Sequence, residues 1–408
     1  MLNHCRQSLL VAAWFVFLTF PLLVVKVNTL KGVVEWRWAN ILWVAVAVFP
    51  LSLGWRWAMA RRQGRRAGTE AGRGIAGLAG RWQLLLAEPA RYRPLLAVLL
   101  LGALAMPLLT DIYQTNILVL ALIFVVLGLG LNITVGLAGL LDLGYIAFFA
   151  VGAYTYGVLN SLYGLGFWIC LPLGGLAGAL CGVALGLPIL RLRGDYLAIV
   201  TLGFGLIVKV VIENGEELFH GARGIANIPR PGLFGLDMSI EAATIYTYYL
   251  MLLLVLLTVF VTNRLKDSRI GRAWMALRED EIACVAMGID MARTKMSAYA
   301  LGACWAGLVG VIFAARNTYI HPNSFTFMES ALVLSIVVLG GMGSIVGVII
   351  AALILVLLPE YLRAFAEYRM LLFGAVMVLM MIFRPQGLFA NQRRSYRRHG
   401  ATRENSHV

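Results

Sequence analysis

Charged residues are scarce in this sequence, and their scarcity sets its class. They make up 13% of the 408 residues, whereas 61% of the residues are hydrophobic. Because an ordinary soluble domain carries roughly 25% charged residues, a soluble fold is excluded. The apolar runs are continuous over about 17–25 residues, which indicates transmembrane helices and not the alternating strands of a membrane barrel. We therefore predict an all-α fold, a polytopic bundle of about 10–12 transmembrane helices.

The sequence also lacks the side-chain sets that carry most protein chemistry. It has no CxxC pair and no cluster of histidines, so we predict no metal site. The apolar runs hold no nucleophile–base set and no pair of carboxylates, so we predict no catalytic residues and no intramembrane enzyme. A GxxxxGK(S/T) phosphate loop is absent too. We therefore expect no cofactor in this chain. The cysteines, interpreted as packing residues, are Cys5, Cys170, Cys181, Cys284 and Cys304.

Positive charge predominates, with a net charge of +14. A nucleic-acid-binding protein can show this balance, but here Lys and Arg collect between apolar runs, which is a topology signal. The basic segments 61–93, 264–295 and 391–408 are predicted to be cytoplasmic. The acidic loop 213–244 is predicted to lie on the opposite side of the membrane. An arrangement of about twelve spans satisfies every loop and places both termini in the cytoplasm.

The predicted spans divide the chain into four parts. Residues 1–60 form a two-span extension whose first span is an uncleaved helix, because no small-residue cleavage pattern follows it. Residues 61–93 form a Gly-rich basic linker, 94–390 the core, and 391–408 a basic tail. The core includes the cytoplasmic loop 264–295. The spans are predicted near 9–25, 41–59, 95–110, 117–135, 143–161, 166–190, 196–212, 245–263, 296–315, 328–341, 344–358 and 370–384.

A short segment of the cytoplasmic loop is charged in its first half and small and apolar in its second, and it predicts a helix over residues 280–288. Asp280 can accept hydrogen bonds from the free N–H groups of a first helical turn, and the helix dipole favours Glu281 there. Gly288 can adopt the left-handed conformation that ends a helix. Small residues such as Ala283 would let this helix enter a groove in a partner protein. An ordinary solvated connection between spans is the alternative interpretation.

Glycines concentrate at two junctions between apolar runs, one in each half of the core. They either let helices pack closely or break helices to form a translocation path, where free backbone groups would meet a polar substrate. Asp142 is a charge within a long apolar region, so it is a candidate for the same path, although it can also cap a helix. The candidates for the translocation path are Gly136, Gly139, Asp142, Gly144, Gly340, Gly341 and Gly343.

Several blocks of the sequence resemble one family. The segment GRAWMALREDEIACVAMGI (271–289) is similar to the coupling region of branched-chain amino-acid ABC importer permeases, in particular the larger, LivM-type member of each permease pair. The blocks at 132–159, 191–205, 324–344 and 367–388 match the same family in the same order. The resemblance implies a type II-like importer permease fold. It also implies that Asp280, Glu281, Ala283 and Gly288 couple the chain to the ATPase, with Glu281 touching the ATPase surface.

The resemblance further implies the partners and the substrate. The partners are a second permease subunit, two separate ABC ATPase subunits that bind the ATP and Mg²⁺, a periplasmic amino-acid-binding protein and the lipid of the bacterial inner membrane; no nucleic acid is expected. The implied substrates are leucine, isoleucine and valine.

The sequence departs from the family at Leu206, where a glutamate is usual, and at 220–225, where a GGPNGI-like run is usual. A permease for urea, amides or other amino acids is therefore an alternative, and an ion-coupled secondary transporter is a weaker one because charges deep in the spans are scarce.

Overall fold

A computed structural model gives the structure of part of the chain. The predicted linker 61–93 and tail 391–408 lie outside that part, as do nearly all of the predicted spans 9–25, 41–59 and 370–384. The residues that the structure describes are 25–28, 33–36, 100–108, 110–190, 192, 194–232, 239–361, 374, 378 and 387.

The chain divides into two compact units, Met1–Leu100 and Leu101–Val408. In the first unit the described residues include an antiparallel hairpin of strands β1 (Val25–Asn28) and β2 (Val33–Trp36). Five of these eight residues are valine or tryptophan, which are enriched in strands. The hairpin departs from the all-α prediction, and it begins where the first predicted span ends.

The second unit is a bundle of helices, which confirms the predicted polytopic helical fold. A π-helix, Asn132–Leu137, continues the first helix, and short helical turns occur at Glu216–Phe219, Gly221–Arg223 and Pro322–Ser324. The α-helices are α1 (Ile112–Leu131), α2 (Ile146–Tyr163), α3 (Phe167–Ile189), α4 (Asp195–Asn214), α5 (Ile240–Lys266), α6 (Arg269–Glu279), α7 (Glu281–Ala286), α8 (Met291–Asn317), α9 (Phe327–Gly340) and α10 (Ile345–Tyr361).

Seven helical segments in the described part are long and apolar enough to cross a membrane. Together with the shorter α10, they correspond to the eight predicted spans between 117 and 358. Helix α9 has 14 residues. At about 1.5 Å per residue it is too short by itself to cross a hydrocarbon core of about 30 Å.

Helices α1 and α8 form the centre of the bundle, and α4 lies at its edge. In α1 with its π-helical extension, and in α8, 72% of the most apolar window is buried within the chain, but in α4 only 22% is. Glycines allow α3 to pack directly on α8: a Cβ atom at Gly178 would lie 2.5 Å from the carbonyl oxygen of Ala303. This close approach is the packing role that small residues have in membrane helices.

Candidate functional site

The segment formed by α6 and α7 folds because its helix ends are capped locally. Asp280 Oδ1 accepts hydrogen bonds from the N–H groups of Ile282 (2.8 Å) and Ala283 (3.1 Å), which starts α7. Gly288 has a φ of +80° just after the helix. These contacts confirm the predicted cap, the predicted short helix and its left-handed ending.

Glu281 points back into the protein and pairs with a buried lysine. Lys295, on α8, has no exposed side-chain surface, and its Nζ lies 2.9 Å from Glu281 Oε1. The Glu281 side chain is only 21% exposed. A buried ammonium group needs a counterion, and Glu281 supplies it, whereas contact between Glu281 and the ATPase stays a prediction.

A buried tryptophan provides a second attachment of this segment to α8. Trp274, on α6, is fully buried. Its indole N–H lies 3.1 Å from both the carbonyl oxygen of Thr294 and the hydroxyl oxygen of Ser297. Because a buried indole N–H needs a hydrogen-bond partner, these bonds fix the position of α6 on the first turns of α8.

The surface that α7 presents is apolar. Ile282 is 69% exposed, Val285 is 55% exposed and Met287 is 81% exposed. Ala283 and Gly288 are exposed beside them, whereas Cys284 faces inward. An apolar projection of this kind on a charged segment is typical of a surface that a partner protein covers.

Arg278 connects α6 to the π-helix at the end of α1. Its Nη1 donates a hydrogen bond of 2.6 Å to the carbonyl oxygen of Gly136. The arginine side chain also lies against Gly139, where an added Cβ atom would be 2.7 Å from Arg278 Cγ. Gly139 has a φ of +73°, which favours glycine. Two of the candidate glycines therefore contact the segment with the exposed apolar face.

The two glycine-rich junctions predicted from the sequence meet in the structure. Asn132, in the π-helix, is fully buried, and its Oδ1 accepts a hydrogen bond of 2.8 Å from the N–H of Gly343. A Cβ atom at Gly136 would lie 2.6 Å from the same nitrogen. Arg278, Gly136, Asn132 and Gly343 thus form a continuous set of contacts from α6 to the turn between α9 and α10.

The remaining glycine candidates lie in close backbone contacts. A Cβ atom at Gly144 would be 2.0 Å from the carbonyl oxygen of Thr201, and one at Gly340 would be 2.6 Å from backbone atoms of Gly347. Gly341 is also buried. Close backbone packing therefore accounts for glycine at Gly144 and Gly340, and the part of these positions in a translocation path stays a prediction.

Asp142 is fully buried in the connection before α2, and it does not cap that helix. Its Oδ1 accepts a hydrogen bond of 2.9 Å from the N–H of Gly144, two residues on, while helix α2 begins at Ile146 without a side-chain cap. Asp142 thus holds the turn, which corrects the predicted cap. Burial raises the pKa of the Asp142 carboxyl to about 7, and the hydrogen bond from Gly144 opposes this shift.

Hydroxyl groups that the sequence analysis missed complete this connection. Thr201 Oγ1 accepts from the N–H of Leu143 at 3.0 Å, and Ser330 Oγ accepts from the N–H of Ile146 at 3.1 Å. Both hydroxyl residues are buried, on α4 and α9. Ser330 lines a narrow cleft between α2, α4 and α9 that Leu206 and Lys209 also line. A lone Ser or Thr in an apolar run was the available signal, but it does not reveal its partner.

Comparison with known proteins is consistent with this arrangement. The family described as Branched-chain amino acid transport system / permease component matches residues 113–381. The high-affinity branched-chain amino acid transport system permease protein LivM of Escherichia coli (strain K12) is 51% identical over 313 residues, covering 72% of this chain and 74% of that protein. The permease protein LivH of the same strain is 24% identical over 282 residues, covering 65% and 90%. The fructose import permease protein FrcC of Rhizobium meliloti is 27% identical over 251 residues, covering 59% and 68%. No solved structure matches the chain.

Proposed function

This chain belongs to the family of branched-chain amino acid transport system permease components, and from that premise we propose that it is the LivM-type subunit of an ATP-driven importer of leucine, isoleucine and valine. It would pair with a second, LivH-type permease in the bacterial inner membrane. Two separate ATPase subunits would bind and hydrolyse ATP, and a periplasmic binding protein would deliver the amino acid. The chain itself would catalyse no reaction, and both of its termini would face the cytoplasm.

The observation that carries this proposal is the attachment of the α6–α7 segment to the central helices. Its apolar face, Ile282, Val285 and Met287, would fill a groove on the ATPase. Fully burying one such side chain contributes about 1.5–3 kcal/mol. Asp280 and Gly288 would define the ends of the helix that docks, and Ala283 would allow a close fit.

Motion of the ATPases would reach the membrane through three contacts. Glu281 would act through Lys295, and Trp274 through its bonds to the same helix, so that α8 moves with α7. Arg278 would transmit the motion to Gly136 at the end of α1. Because each contact joins the segment to a particular residue of a central helix or its extension, the segment and the two central helices would move together, which alternating access requires.

The translocation path would lie at the edge of this chain, on the α4 side, and not through its centre. Helix α4 exposes Ile199, Leu206, Ile207 and Val210 to its surroundings. Leu206 and Lys209, on this helix, line the narrow cleft between α2, α4 and α9. The second permease would cover this face and complete the path. The glycine candidates would contribute close helix contacts that reposition during transport.

Transport by the purified complex tests the proposal. Liposomes would hold this chain with its co-purified partners, with binding protein outside and either internal ATP or an ion gradient as the driving force. Uptake of labelled leucine that requires both ATP and binding protein is the expected result. Uptake driven by the gradient alone would show an ion-coupled transporter. Uptake of urea or an amide in place of leucine would leave the importer class standing and change the substrate.

A further inference from the structure

A polar cavity lies at the ends of α1, α5 and α8 that are farthest from the α6–α7 segment. Helix α5 runs away from α6 over 27 residues, about 40 Å, so the cavity is at the opposite surface of the membrane. Two arginines, Arg230 and Arg316, line it together with Asn116 and Thr244. No acidic side chain is among the described residues that line it.

Arg316 lies at the last turn of α8, where only part of its guanidinium group forms hydrogen bonds with the described residues. Its Nη2 donates a hydrogen bond of 3.0 Å to the carbonyl oxygen of Asn116, which fixes the side chain across to α1. Its Nε is buried and has no hydrogen-bond partner among the described residues. Within that part of the chain, Arg316 and Arg230 form no ion pair. A guanidinium group in such a place is costly to bury unless an anion accompanies it.

The surroundings of the cavity favour a lipid as the source of that anion. Ile240, which lines the cavity at the first turn of α5, is 67% exposed, and Ile112, at the first turn of α1, is 42% exposed. Exposed apolar side chains thus adjoin the cavity at this end of α1 and α5. Arginine pairs well with phosphate oxygens, and the apolar side chains beside the cavity suit the acyl chains of the same lipid.

We propose that this cavity binds the phosphate group of an anionic phospholipid. Arg316 Nε and the Arg230 guanidinium donate hydrogen bonds to the phosphate oxygens, and the acyl chains lie along Ile240 and Ile112. The bound lipid joins the end of α8 to the beginnings of α1 and α5.

Native mass spectrometry of the intact permease complex in detergent tests this site. Phosphatidylglycerol and phosphatidylcholine would each be titrated into the wild-type complex and into the variants Arg230→Gln, Arg316→Gln and Arg223→Gln. Arg223 is the matched control, because it is an exposed arginine near the same end of the bundle that does not line the cavity. Arg230→Gln leaves the packing of α8 on α1 unchanged, so it keeps the test valid if Arg316→Gln fails to assemble.

The expected result is one tightly held phosphatidylglycerol, retained about tenfold more weakly by Arg230→Gln and by Arg316→Gln and unchanged in Arg223→Gln. Equal retention of phosphatidylcholine, or an equal loss in the control, would overturn the proposal. Displacement of the lipid by millimolar inorganic phosphate or by leucine would also overturn it, because the site would then take a small free anion.

Discussion

Lys295 Nζ lies 2.9 Å from Glu281 Oε1, and this contact joins the short exposed helix α7 to the central helix α8. The lysine is fully buried. Among the described residues, few other charged side chains contact each other inside the apolar bundle. Breaking a buried pair by removing one partner strands the other charge, which costs more than removing both. The relationship therefore makes a specific prediction about single and double substitutions.

The variant Glu281→Gln should lower the stability of the chain by about 3 kcal/mol, because Lys295 would be left without its counterion. The double variant Glu281→Gln with Lys295→Met should recover most of that loss, since methionine fills the same space without a charge. The measurement is the midpoint of thermal unfolding of the purified complex in detergent. A double variant that is less stable than the single variant would refute the pairing as the source of the effect.

Arg278 provides a prediction about how motion of the ATPases would be transmitted to the end of α1. Replacing it by methionine removes the hydrogen bond to the Gly136 carbonyl, so ATP hydrolysis should continue while leucine uptake falls about tenfold. The matched control is Arg272→Met on the same helix, because Arg272 Nη1 bonds only to the nearby carbonyl of Asp267. Uptake and ATPase rates would be compared in proteoliposomes. Equal effects of the two substitutions would mean that the Gly136 contact has no special role.

Gly144 offers a test of helix packing. The variant Gly144→Ala should destabilise the protein by about 1–3 kcal/mol, because its Cβ atom would collide with the Thr201 carbonyl oxygen. Gly203, on α4, is the control, since a Cβ atom there meets nothing within 4 Å. Thermal unfolding should show Gly203→Ala to be at least as stable as the wild type. A stable Gly144→Ala complex would contradict the close contact between these segments.

The buried carboxyl of Asp142 predicts a dependence of stability on pH. Because its pKa is raised to about 7 in the folded protein, the folded state holds its proton more tightly than the unfolded state does. Its contribution to stability is therefore greatest at low pH and declines as pH rises through the interval between its ordinary pKa and about 7. The reference variant is Asp142→Asn. It keeps a side-chain oxygen that can accept the hydrogen bond from the Gly144 N–H, but it has no carboxyl proton to titrate.

The unfolding midpoint of the wild type, taken relative to that of Asp142→Asn, should therefore fall between pH 4.5 and pH 7.5. A constant difference between the two proteins across this interval would show that Asp142 does not change its protonation on unfolding there.

Local chemistry made the ends of α7 predictable, whereas the long-range contacts could not be predicted from the sequence. Asp280 reaches N–H groups two and three residues away, so its cap follows from the sequence. The pairing of Glu281 with Lys295 was not predicted, because the helix that holds Lys295 could not be placed against Glu281 from the sequence. The bonds Arg278–Gly136 and Asn132–Gly343 join residues 142 and 211 positions apart.

For the glycines too, the sequence indicated the type of role but not the contacts that decide it. Their concentration at two junctions indicated a structural role, yet packing and an open path predict the same composition. At Gly144 and Gly340 neighbouring backbone atoms occupy the space of a side chain, so close packing accounts for glycine there. The hairpin of β1 and β2 was missed because its valines also continue an apolar run, and hydrophobicity alone does not separate the end of a helix from the beginning of a strand.

Docking through the apolar face of α7 is the central claim, and one paired comparison tests it most directly. The double variant Val285→Asp with Met287→Asp places two charges on that face, whereas Val285→Ile with Met287→Leu keeps it apolar. Both positions are exposed, so both variants should fold and insert. The measurement is ATP-driven leucine uptake by proteoliposomes, together with the amount of ATPase that co-purifies. We predict at least a tenfold loss of uptake and loss of bound ATPase for the aspartate variant alone; wild-type uptake with bound ATPase in that variant would contradict the account.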